Sequence, residues 1–402
     1  MEKINLVVAD ETLRDGEQQV GLFFEDKAEL AYLIAQTGVQ QIALMPSIHS
    51  TEAELVKTLV GQGLQPQVVA STMMKQAAID QAKACGVKQI ILFHAVSDRL
   101  LFLRDPAIGK NPDFAQQTIE SNIPFEVVQT SRQKMLDNTL KHIQYATEQG
   151  LEVCFAAEDA SRADFHFLVE AINAFSPHIE QFLLCDTVGM LTPEKTYVWI
   201  QDLRACVTES VPLAVHFHND MGLALENTIQ AVRAGASGIS GTMGGIGERA
   251  GNAPLEQVLH GLRVRFGWEI NGIDYRALDR VVDYLNQRGY RPHSPYSQMA
   301  QRHESGIHVS ALLRDRKSYA IFPYGEADIW FGKCSGASNW QYLFEQHLGQ
   351  TLTQCEYERL RHFIKKTAMA HKRSYSVQQV LELLEQQQVL AQLGIAPAND
   401  SD

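Results

Sequence analysis

The sequence has little of what marks secreted, membrane-bound or disordered proteins. None of its six cysteines belongs to a C-x-x-C pair, aromatic residues make up 8% of the 402 residues, and no tract has low complexity. Widely spaced single cysteines are typical of reduced thiols in the cytosol. The chain also begins without a basic region followed by an apolar run. We therefore expect a cytoplasmic protein that has no secretion signal and no membrane span.

Positive charge is also in short supply. The chain carries 35 lysines and arginines against 47 aspartates and glutamates, which gives a net charge of −12. An acidic protein repels nucleic acids and anionic membranes at long range, so we predict neither as a partner. An anionic small molecule would have to be bound by a local cation.

Short apolar runs recur along the first two-thirds of the chain. They are INLVVAD, VQQIALMPS, PQVVAS, VKQIILFHAVS, LEVCFAAEDA, QFLLCDTVG, LAVHFHND and ASGISGTMG. Their weak alternation of polar and apolar residues is typical of parallel strands buried on both faces, and helix-like stretches ending near a glycine separate them. This pattern predicts a closed (β/α)8 TIM barrel. An open doubly wound sheet is the alternative, but the turn after the first strand, ETLRDGEQ, lacks the G-x-G-x-x-G fingerprint.

The pattern changes after about residue 268, where longer helices flank a polar, proline-containing stretch. We predict three parts: a catalytic barrel over residues 1–268, a linker or lid subdomain over residues 269–330, and a C-terminal helical subdomain over residues 331–395. The last two form a small, mainly helical appendage.

Polar residues gather just after the predicted strands, at the face where TIM barrels carry their active sites. They are Arg14, Asp15, Glu17 and Gln18 after the first run, Ser97 and Asp98 after the fourth, Glu158 and Asp159 after the fifth, Asp186 and Thr187 after the sixth, His216, His218, Asn219 and Asp220 after the seventh, and Thr242, Glu248, Arg249 and Asn252 after the eighth.

His216 and His218 are one residue apart on a predicted strand, so both imidazoles point to the same face. Together with Asp15, and with Asn252 as a fourth ligand or outer-sphere oxygen, they predict a divalent-metal site. This mixed nitrogen and oxygen set suits Zn, Mn, Co or Mg without choosing among them. H-x-H alone also fits two core histidines, but the following Asn-Asp pair and the charged turn after the first strand favour metal binding.

The loop GTMGGIGERAGNAP is dense in glycine. Such a loop can let the backbone approach a bulky ligand or close over one, and a plain flexible loop is the alternative.

Several of these motifs resemble one family. ETLRDGEQ, AEDASRAD, DTVGMLTP, HFHNDMGLALEN, GIGERAGN and HESGIH are similar to the metal-dependent acyl-transferring barrels that include 2-isopropylmalate synthase and homocitrate synthase. The resemblance covers residues 5–375. It implies an acyltransferase that condenses acetyl-CoA, a co-substrate assumed from the family alone, with a 2-oxo acid, and then hydrolyses the CoA thioester.

The resemblance also implies roles for individual residues. Asp15, His216 and His218 hold the metal with support from Asn252, while Arg14 and the metal stabilise the developing alkoxide. His308 and Tyr319, from the appendage, remove the proton from the thioester methyl group, and Glu158 orients this relay. The residues expected to contact the 2-oxo acid are Gln18, Met73, Leu100, Thr187 and Asn252.

Family resemblance further implies a homodimer in which the appendage covers the partner's barrel, so that His308 and Tyr319 act in trans or in cis. The C-terminal leucine-binding regulatory domain of full-length 2-isopropylmalate synthases has no counterpart among the predicted parts.

The sequence departs from the family where the 2-oxo acid side chain would bind. QIALMPS replaces an acidic I-E-x-G-x-P run, Met73 and Met74 stand where an arginine is expected, and Leu100 replaces a histidine. Cys154 stands where the homocitrate synthases of the lysine pathway have an arginine, as in the nitrogen-fixation type, and Cys334 changes G-K-H-S-G to GKCSG.

These changes mostly remove polar groups, and we expect Leu44, Met45, Met73, Phe93 and Leu100 around the pocket. A distal carboxylate would fit poorly there, because an unpaired buried charge is costly. We therefore predict a bulky apolar 2-oxo acid, such as phenylpyruvate (giving benzylmalate) or 2-oxoisovalerate (giving 2-isopropylmalate). Homocitrate synthesis from 2-oxoglutarate is the alternative.

Two other classes of function remain open. An acyl-CoA lyase of the 3-hydroxy-3-methylglutaryl-CoA type would share the barrel and the metal motif, but its family has a catalytic cysteine in the glycine-rich loop. The corresponding loop, GTMGGIGERAGN, contains none. A non-catalytic homologue would have little reason to keep the complete set of predicted catalytic residues.

Overall fold

A closed barrel of eight parallel strands forms the centre of the protein. The computed structural model describes residues 1–64, 67–105, 125–208, 210–320, 327–386 and 388–395. A short strand β1 (Glu2–Ile4) precedes the barrel. The barrel strands are β2 Val7–Asp10, β3 Gln41–Leu44, β4 Val68–Met73, β5 Gln89–Ala95, β6 Glu152–Glu158, β7 Gln181–Asp186, β8 Leu213–Phe217 and β9 Gly238–Gly241. The predicted TIM barrel is confirmed.

The strands follow one another around the barrel in chain order, and β2 pairs with β9 to close it. Val7 lies opposite Gly238 and Asp10 lies opposite Gly241 in this last pair. Because all strands are parallel, their C-terminal ends meet at one mouth. Asp15, Glu158, His216 at the end of β8 and His218 just after it are thereby brought to the same end of the molecule.

Helices surround the barrel and alternate with its strands. They are α1 Lys27–Ala35, α2 Ser50–Leu59, α3 Gln76–Ala84, α4 Asp98–Arg104, α5 Phe125–Glu148, α6 Phe165–Phe175, α7 Pro193–Cys206, α8 Ala224–Arg233 and α9 Leu255–Phe266. Side chains of Asp26, Ser97, Asp164 and Thr192 accept hydrogen bonds from backbone N–H groups at helix starts, where the helix itself provides no partner.

Two hydrophobic layers hold the barrel together. The larger layer fills the space between strands and helices. The smaller layer lies inside the barrel and contains Ala43, Val69, Ile91, Cys154, Ala156, Leu183, Cys185 and Ala214. Its members come from alternate positions of the strands, as a period of two requires. The barrel interior below the mouth is therefore packed with small and medium apolar side chains.

The appendage has its own hydrophobic core, built around Phe331, Trp340, Phe344 and Tyr357. After β10 (Trp268–Ile270), which pairs with β1, its helices and strands are α10 Tyr275–Gln287, β11 Arg302–His303, α11 Gly306–Leu312, β12 Asp328–Phe331, α12 Ala337–Gln341, α13 Gln354–His371, β13 Tyr375–Ser376, α14 Val377–Gln386 and α15 Val389–Gln392. The predicted mainly helical character of this region is confirmed. The boundaries at residues 268, 330 and 395 stay predictions.

Within the described ranges, no helix combines the length and the apolar character that crossing a membrane requires.

A glycine at the turn between α1 and β3 is required by a close backbone contact. Gly38 has φ +82°, and a Cβ atom there would lie 1.9 Å from the carbonyl oxygen of Gly272. Gly150, at the turn before β6, has a similar φ of +80° but nothing within 4 Å of a Cβ position. The two glycines therefore separate the cost of the backbone conformation from the cost of a steric clash.

We expect Gly38→Ala to destabilise the protein more than Gly150→Ala. Both variants place a Cβ in a left-handed conformation at a cost of about 1–2 kcal/mol. Gly38→Ala adds a clash with backbone, for which overpacking costs about 1–3 kcal/mol more. Urea unfolding measures both losses. Equal losses in the two variants would contradict the proposed role of the Gly38–Gly272 contact.

Candidate active site

A cavity of about 760 Å³ opens at the C-terminal ends of the barrel strands, between the barrel and the appendage. This volume is in the usual range for small-molecule sites, roughly 300–1,000 Å³. Side chains of both parts line it. Nine of the residues to which the sequence assigned a metal, catalytic or substrate role are among them: Arg14, Asp15, Gln18, Met73, Glu158, Thr187, His216, His218 and His308. The structure therefore brings these nine predicted residues to one cavity.

Asp15, His216 and His218 form a compact cluster of metal-ligand atoms. Their ligand atoms all lie within 4.8 Å of one another, and all three residues are buried. The Nε2 atoms of the two imidazoles are 3.3 Å apart, and Nε2 of His218 lies 4.0 Å from Oδ2 of Asp15. Two imidazoles and a carboxylate are donors that Zn and other divalent transition metals accept.

The surroundings of the cluster fit a bound divalent ion. His216 Nδ1 contacts Ser240 Oγ at 3.1 Å, which is the kind of second contact that orients a metal-binding imidazole. Asn252 donates through Nδ2 to Oδ1 of Asp15 at 2.7 Å. Its own Oδ1 atom is buried, and no described residue provides a hydrogen bond to it. Asn252 therefore supports Asp15 directly and keeps a buried oxygen available beside the cluster.

Burial and charge keep the three ligands in their metal-binding protonation states. Burial lowers the pKa of both His216 and His218 below the ordinary value, so the imidazoles are neutral at neutral pH. Burial alone would raise the pKa of Asp15, but the two histidines and Arg14 outweigh it and hold the pKa well below the usual range. Neutral imidazoles and an ionised carboxylate are the forms that bind metals.

The glycine-rich loop after β9 packs against this cluster. A Cβ atom at Gly247 would lie 2.1 Å from Nδ2 of Asn252 and 2.8 Å from Oδ1 of Asp15. The backbone of the loop therefore lies against the predicted metal ligands at Gly247. The expectation that the loop approaches a bound substrate stays a prediction.

Arg14 lies beside the cluster formed by Asp15, His216 and His218, and it lines the same cavity. Its guanidinium donates to Oε2 of Glu11 at 2.6 Å and to Oδ2 of Asp15 at 3.1 Å, and it still lines the cavity wall. The two carboxylates keep it protonated, because they raise a pKa that burial would lower. Arg14 is thus a fixed positive charge next to the predicted metal ligands.

His308, on α11, is held by a carboxylate from the barrel. Its Nδ1 atom is hydrogen-bonded to Oε1 of Glu248. Although burial would raise the pKa of Glu248, His308 and Arg249 lower it to about 2, so Glu248 is a carboxylate that can only accept. The shared proton therefore lies on Nδ1. Nε2 of a neutral His308 is left with the lone pair that a general base needs.

Tyr319 and Glu158 lie next to His308. The Tyr319 ring stacks on the His308 ring with centroids 3.9 Å apart, and its hydroxyl donates to Oε1 of Glu158. Burial raises the pKa of Tyr319 well above its ordinary value, so the phenol stays protonated. Arg104, the last residue of α4, also contacts both groups.

Two arginines from the barrel hold the segment that carries Tyr319. Arg162 donates to the carbonyl oxygens of Lys317 and Ser318, at 2.6 Å each, and Arg99 pairs with Asp315. Because these contacts lie within one chain, a single chain brings Tyr319 to its own barrel.

Thr187 is placed to donate a hydrogen bond into the cavity. Its Oγ1 accepts from the backbone N–H of Asp159 at 2.8 Å, which leaves the hydroxyl proton free for another acceptor. Thr187 lines the same cavity as His218. This arrangement suits the predicted contact with a substrate carboxylate.

Two residues expected around the pocket lie elsewhere. Leu44 and Leu100 are fully buried in the hydrophobic layer between strands and helices. Met45, next to Leu44, lines the cavity, and so does Leu103, one turn after Leu100 on α4. Adjacent strand residues point to opposite faces, so Leu44 and Met45 could not both face the pocket. The expectation that Leu44 and Leu100 surround the pocket is therefore wrong.

Sequence reasoning missed the role of Arg104 and gave Glu248 none. Arg104 stands at the end of a helix, outside any motif, and its contact with Glu158 depends on how that helix packs. Glu248 was visible in GIGERAGN as a polar residue after the last strand, but its partner, His308, is 60 residues away.

We expect Asp15→Asn to weaken the binding of Mn or Zn by more than about 100-fold, because replacing even an outer-sphere partner costs about 10–100-fold. Calorimetric titration of the chelator-treated protein measures this. His94→Asn is the control, since His94 is also a strand histidine but points away from the cavity-lining Phe93. Unchanged affinity in Asp15→Asn would contradict the proposed metal site.

Comparisons with known proteins identify the family and the fold of the chain. The HMGL-like family model matches residues 5–104 and 117–283. In overall shape the chain is similar to hydroxymethylglutaryl-CoA lyase from Pseudomonas aeruginosa, with a TM-score of 0.55, 20% identity, and coverage of 74% of this chain and 96% of that one. At this identity the likeness concerns the fold.

Curated relatives are more similar in sequence. The homocitrate synthase AksA of Methanosarcina acetivorans is 32% identical over 394 residues, which covers 95% of this chain and 91% of that protein. The 2-isopropylmalate synthase 2 of Caldanaerobacter subterraneus is 30% identical over 390 residues, with 94% of each chain covered. The predicted family is confirmed, and the chain belongs to the HMGL-like family.

Proposed function

We propose that this protein is an acyltransferase-type enzyme that condenses acetyl-CoA with a 2-oxo acid and then hydrolyses the thioester, giving a 2-substituted malate and CoA. Membership of the HMGL-like family and the relatives named as synthases support this reaction class. The observation that carries the proposal is that the metal-ligand cluster and His308 with its oriented Nδ1 proton share one cavity.

The side of the cavity formed by the barrel would bind the 2-oxo acid. Asp15, His216 and His218 would hold a divalent ion (Zn, Mn, Co or Mg), which supplies Lewis acidity toward the keto group when bound. Arg14 offers a fixed positive charge to the oxygen that becomes an alkoxide. Thr187 donates its hydroxyl proton to the substrate carboxylate, and Gln18 lies on the same wall.

The side formed by the appendage would activate the acetyl group. Nε2 of His308 takes a proton from the methyl group of acetyl-CoA, and the new C–C bond forms between that carbon and the keto carbon. The C=O π bond opens in this step, and its electron pair leaves an alkoxide that takes up a proton to become the hydroxyl group of the product. Glu248 keeps the proton of His308 on Nδ1 and stabilises the imidazolium. Glu158 fixes Tyr319 against the imidazole ring. Water then cleaves the C–S bond and releases CoA as a thiol.

The cavity floor favours an apolar 2-oxo acid. The inward side chains of β4 to β7 that reach it are Ser71, Met73, Ile91, Phe93, Ala156, Glu158, Leu183 and Cys185. The one charged member, Glu158, is negative and already bound to an arginine. A distal carboxylate placed on this floor would be buried without a cation, which is costly, whereas an aromatic or branched side chain would gain contacts. Phenylpyruvate and 2-oxoisovalerate are the proposed substrates.

2-Oxoglutarate, the substrate of homocitrate synthesis, is the second candidate. One observation favours it: besides Arg14, several cations line the cavity away from the floor, among them Lys75, Arg104 and Arg314. Against it, two nitrogen atoms of Arg104 are already bound by Glu158.

We further propose, from the sequence, that the enzyme is a cytoplasmic homodimer. His308 and Tyr319 contact the barrel of their own chain, and an exchange of appendages between two chains would make the same contacts in trans.

The test is release of thiol from acetyl-CoA in the presence of Mg, Mn or Zn. The acids to compare are 2-oxoglutarate, 2-oxoisovalerate, 4-methyl-2-oxopentanoate, pyruvate, oxaloacetate and phenylpyruvate. We expect the highest kcat/KM with an apolar acid that is larger than pyruvate. Preference for 2-oxoglutarate would overturn the substrate proposal, and absence of thiol release with every acid and metal would overturn the condensation itself.

We expect Met73→Ala to lower kcat/KM for the preferred apolar acid by about tenfold or more, because lost apolar contact in a substrate pocket costs roughly 1–3 kcal/mol. Turnover of pyruvate should change much less, since its methyl group does not reach far along the floor. Met74→Ala is the matched control, because Met74 packs against the larger hydrophobic layer between strands and helices. Equal losses in both variants, or equal losses for both acids, would speak against the assigned floor.

A further inference from the structure

Arg104 and Glu158, which both line the cavity, form a bidentate salt bridge. Nη1 of Arg104 donates to Oε2 of Glu158 and its Nη2 donates to Oε1, each at 2.7 Å. The side chains are 26% and 15% exposed, so the pair is largely removed from water. A planar guanidinium that meets both oxygens of a carboxylate fixes its plane as well as its position.

The same guanidinium also contacts Tyr319. Nη2 of Arg104 donates to the Tyr319 hydroxyl at 2.6 Å, while that hydroxyl donates to Oε1 of Glu158. Arginine, carboxylate and phenol are therefore joined to one another by four hydrogen bonds. Because the Tyr319 ring stacks on His308, whatever fixes the phenol also fixes the surface on which the imidazole lies.

We propose that Arg104 is a positioning residue of this active site, which holds Glu158 as a carboxylate and, through it, locks Tyr319 against His308. This inference rests on the proposed condensation, in which His308 is the base. Arg104 comes from α4, a barrel helix, whereas Tyr319 and His308 come from the appendage. Arg104 thus connects the position of the proton-transfer groups to the barrel that binds the 2-oxo acid.

The charges around Glu158 agree with this role. Burial alone would raise the pKa of Glu158, but Arg104 outweighs it, with smaller contributions from His308 and Tyr319, and the pKa falls to about 2. His94, on the neighbouring strand, also feels the Glu158 charge. Such a weakly basic carboxylate does not compete with His308 for the substrate proton. Without Arg104, the desolvated carboxylate would protonate at a higher pH.

In kinetic terms, we expect Arg104→Met to lower kcat by about 10–100-fold, because loss of correct positioning of a general base costs on this scale. KM for the 2-oxo acid should stay within about threefold. The apparent pKa on the acidic side of the kcat–pH profile should rise by at least about one pH unit. Arg104→Lys keeps the positive charge but lacks the two coplanar donors of the guanidinium, so it should lose less activity than Arg104→Met.

The control for these variants is Lys134→Met. Lys134 pairs with Asp105, the residue next to Arg104, but it is exposed outside the cavity. Its kcat should stay within about twofold of the wild type. An Arg104→Met enzyme with unchanged kcat and an unchanged pH profile would overturn the proposal, and so would a loss confined to KM.

A second test does not depend on turnover. The free energy of unfolding is measured at pH 7 and pH 4.5 for the wild type, Arg104→Met, Glu158→Gln and the double variant. Glu158 has a depressed pKa in the folded wild type, so the pair stabilises the protein above the unfolded pKa of about 4.3, keeps most of this effect at pH 4.5 and loses it as the pH falls toward 2. In Arg104→Met the desolvated Glu158 carboxylate is a buried charge without its cation at pH 7, and it takes up a proton as the pH falls, which removes part of that cost.

Arg104→Met should therefore destabilise the wild type more at pH 7 than at pH 4.5, and this excess should disappear when residue 158 is glutamine. Equal losses in both backgrounds would overturn the inference even if the enzyme is active. Conversely, a wild type that is inactive with every 2-oxo acid would overturn the proposed function, while the four unfolding energies still report on the pair.

Discussion

Carboxylates crowd the mouth of the barrel, because eight parallel strands deliver their last residues to the same place. A carboxylate removed from water is costly unless a cation or several hydrogen bonds meet it. Many of those described here contact an arginine. The pairs are Glu11 with Arg14, Glu158 with Arg104, Asp159 with Arg162, Asp220 with Arg249 and Glu248 with Arg249. This pairing of buried charges determines which groups at the mouth remain available to a metal ion or a substrate.

The same pairs determine where the appendage lies. Glu248 holds His308, Glu158 holds Tyr319, and Arg162 holds the backbone just before Tyr319. A separate ion-pair chain joins Lys333, next to Cys334 in GKCSG, to Glu17 of the barrel, and Glu17 also contacts Lys27. The contacts that dock the appendage are therefore also the contacts that bring the proposed proton-transfer groups together. A change that weakens the docking should affect the proton transfer as well.

The fold could be predicted because its signal is local. Eight weakly alternating apolar runs, separated by helical stretches that end near glycines such as Gly38, Gly150 and Gly235, are enough to specify a parallel barrel. The positions of His216 and His218 were predictable for the same reason, since spacing on a strand decides which face a side chain takes.

The pocket wall was less predictable. The alternation of side chains along a strand could have shown that Met45, and not Leu44, faces the pocket. Leu100 and Arg104 lie on α4, and the orientation of this helix about its axis depends on packing against the whole barrel. The contact of His308 with Glu248 joins residues far apart in the sequence, and neither motif alone contains it. Local patterns were therefore enough to predict the architecture and the grouping of Asp15, His216 and His218, whereas the contacts between barrel and appendage could be found only from the structure.

We predict that the proposed metal site and the apolar floor act as one binding site for a 2-oxo acid, before any acyl-CoA binds. Calorimetric titration of phenylpyruvate into the protein, with Mn and after chelation, tests this directly. Binding that requires Mn, and that is tighter than the binding of 2-oxoglutarate, is the predicted result. Binding that is indifferent to the metal, or tighter binding of 2-oxoglutarate, would contradict the account.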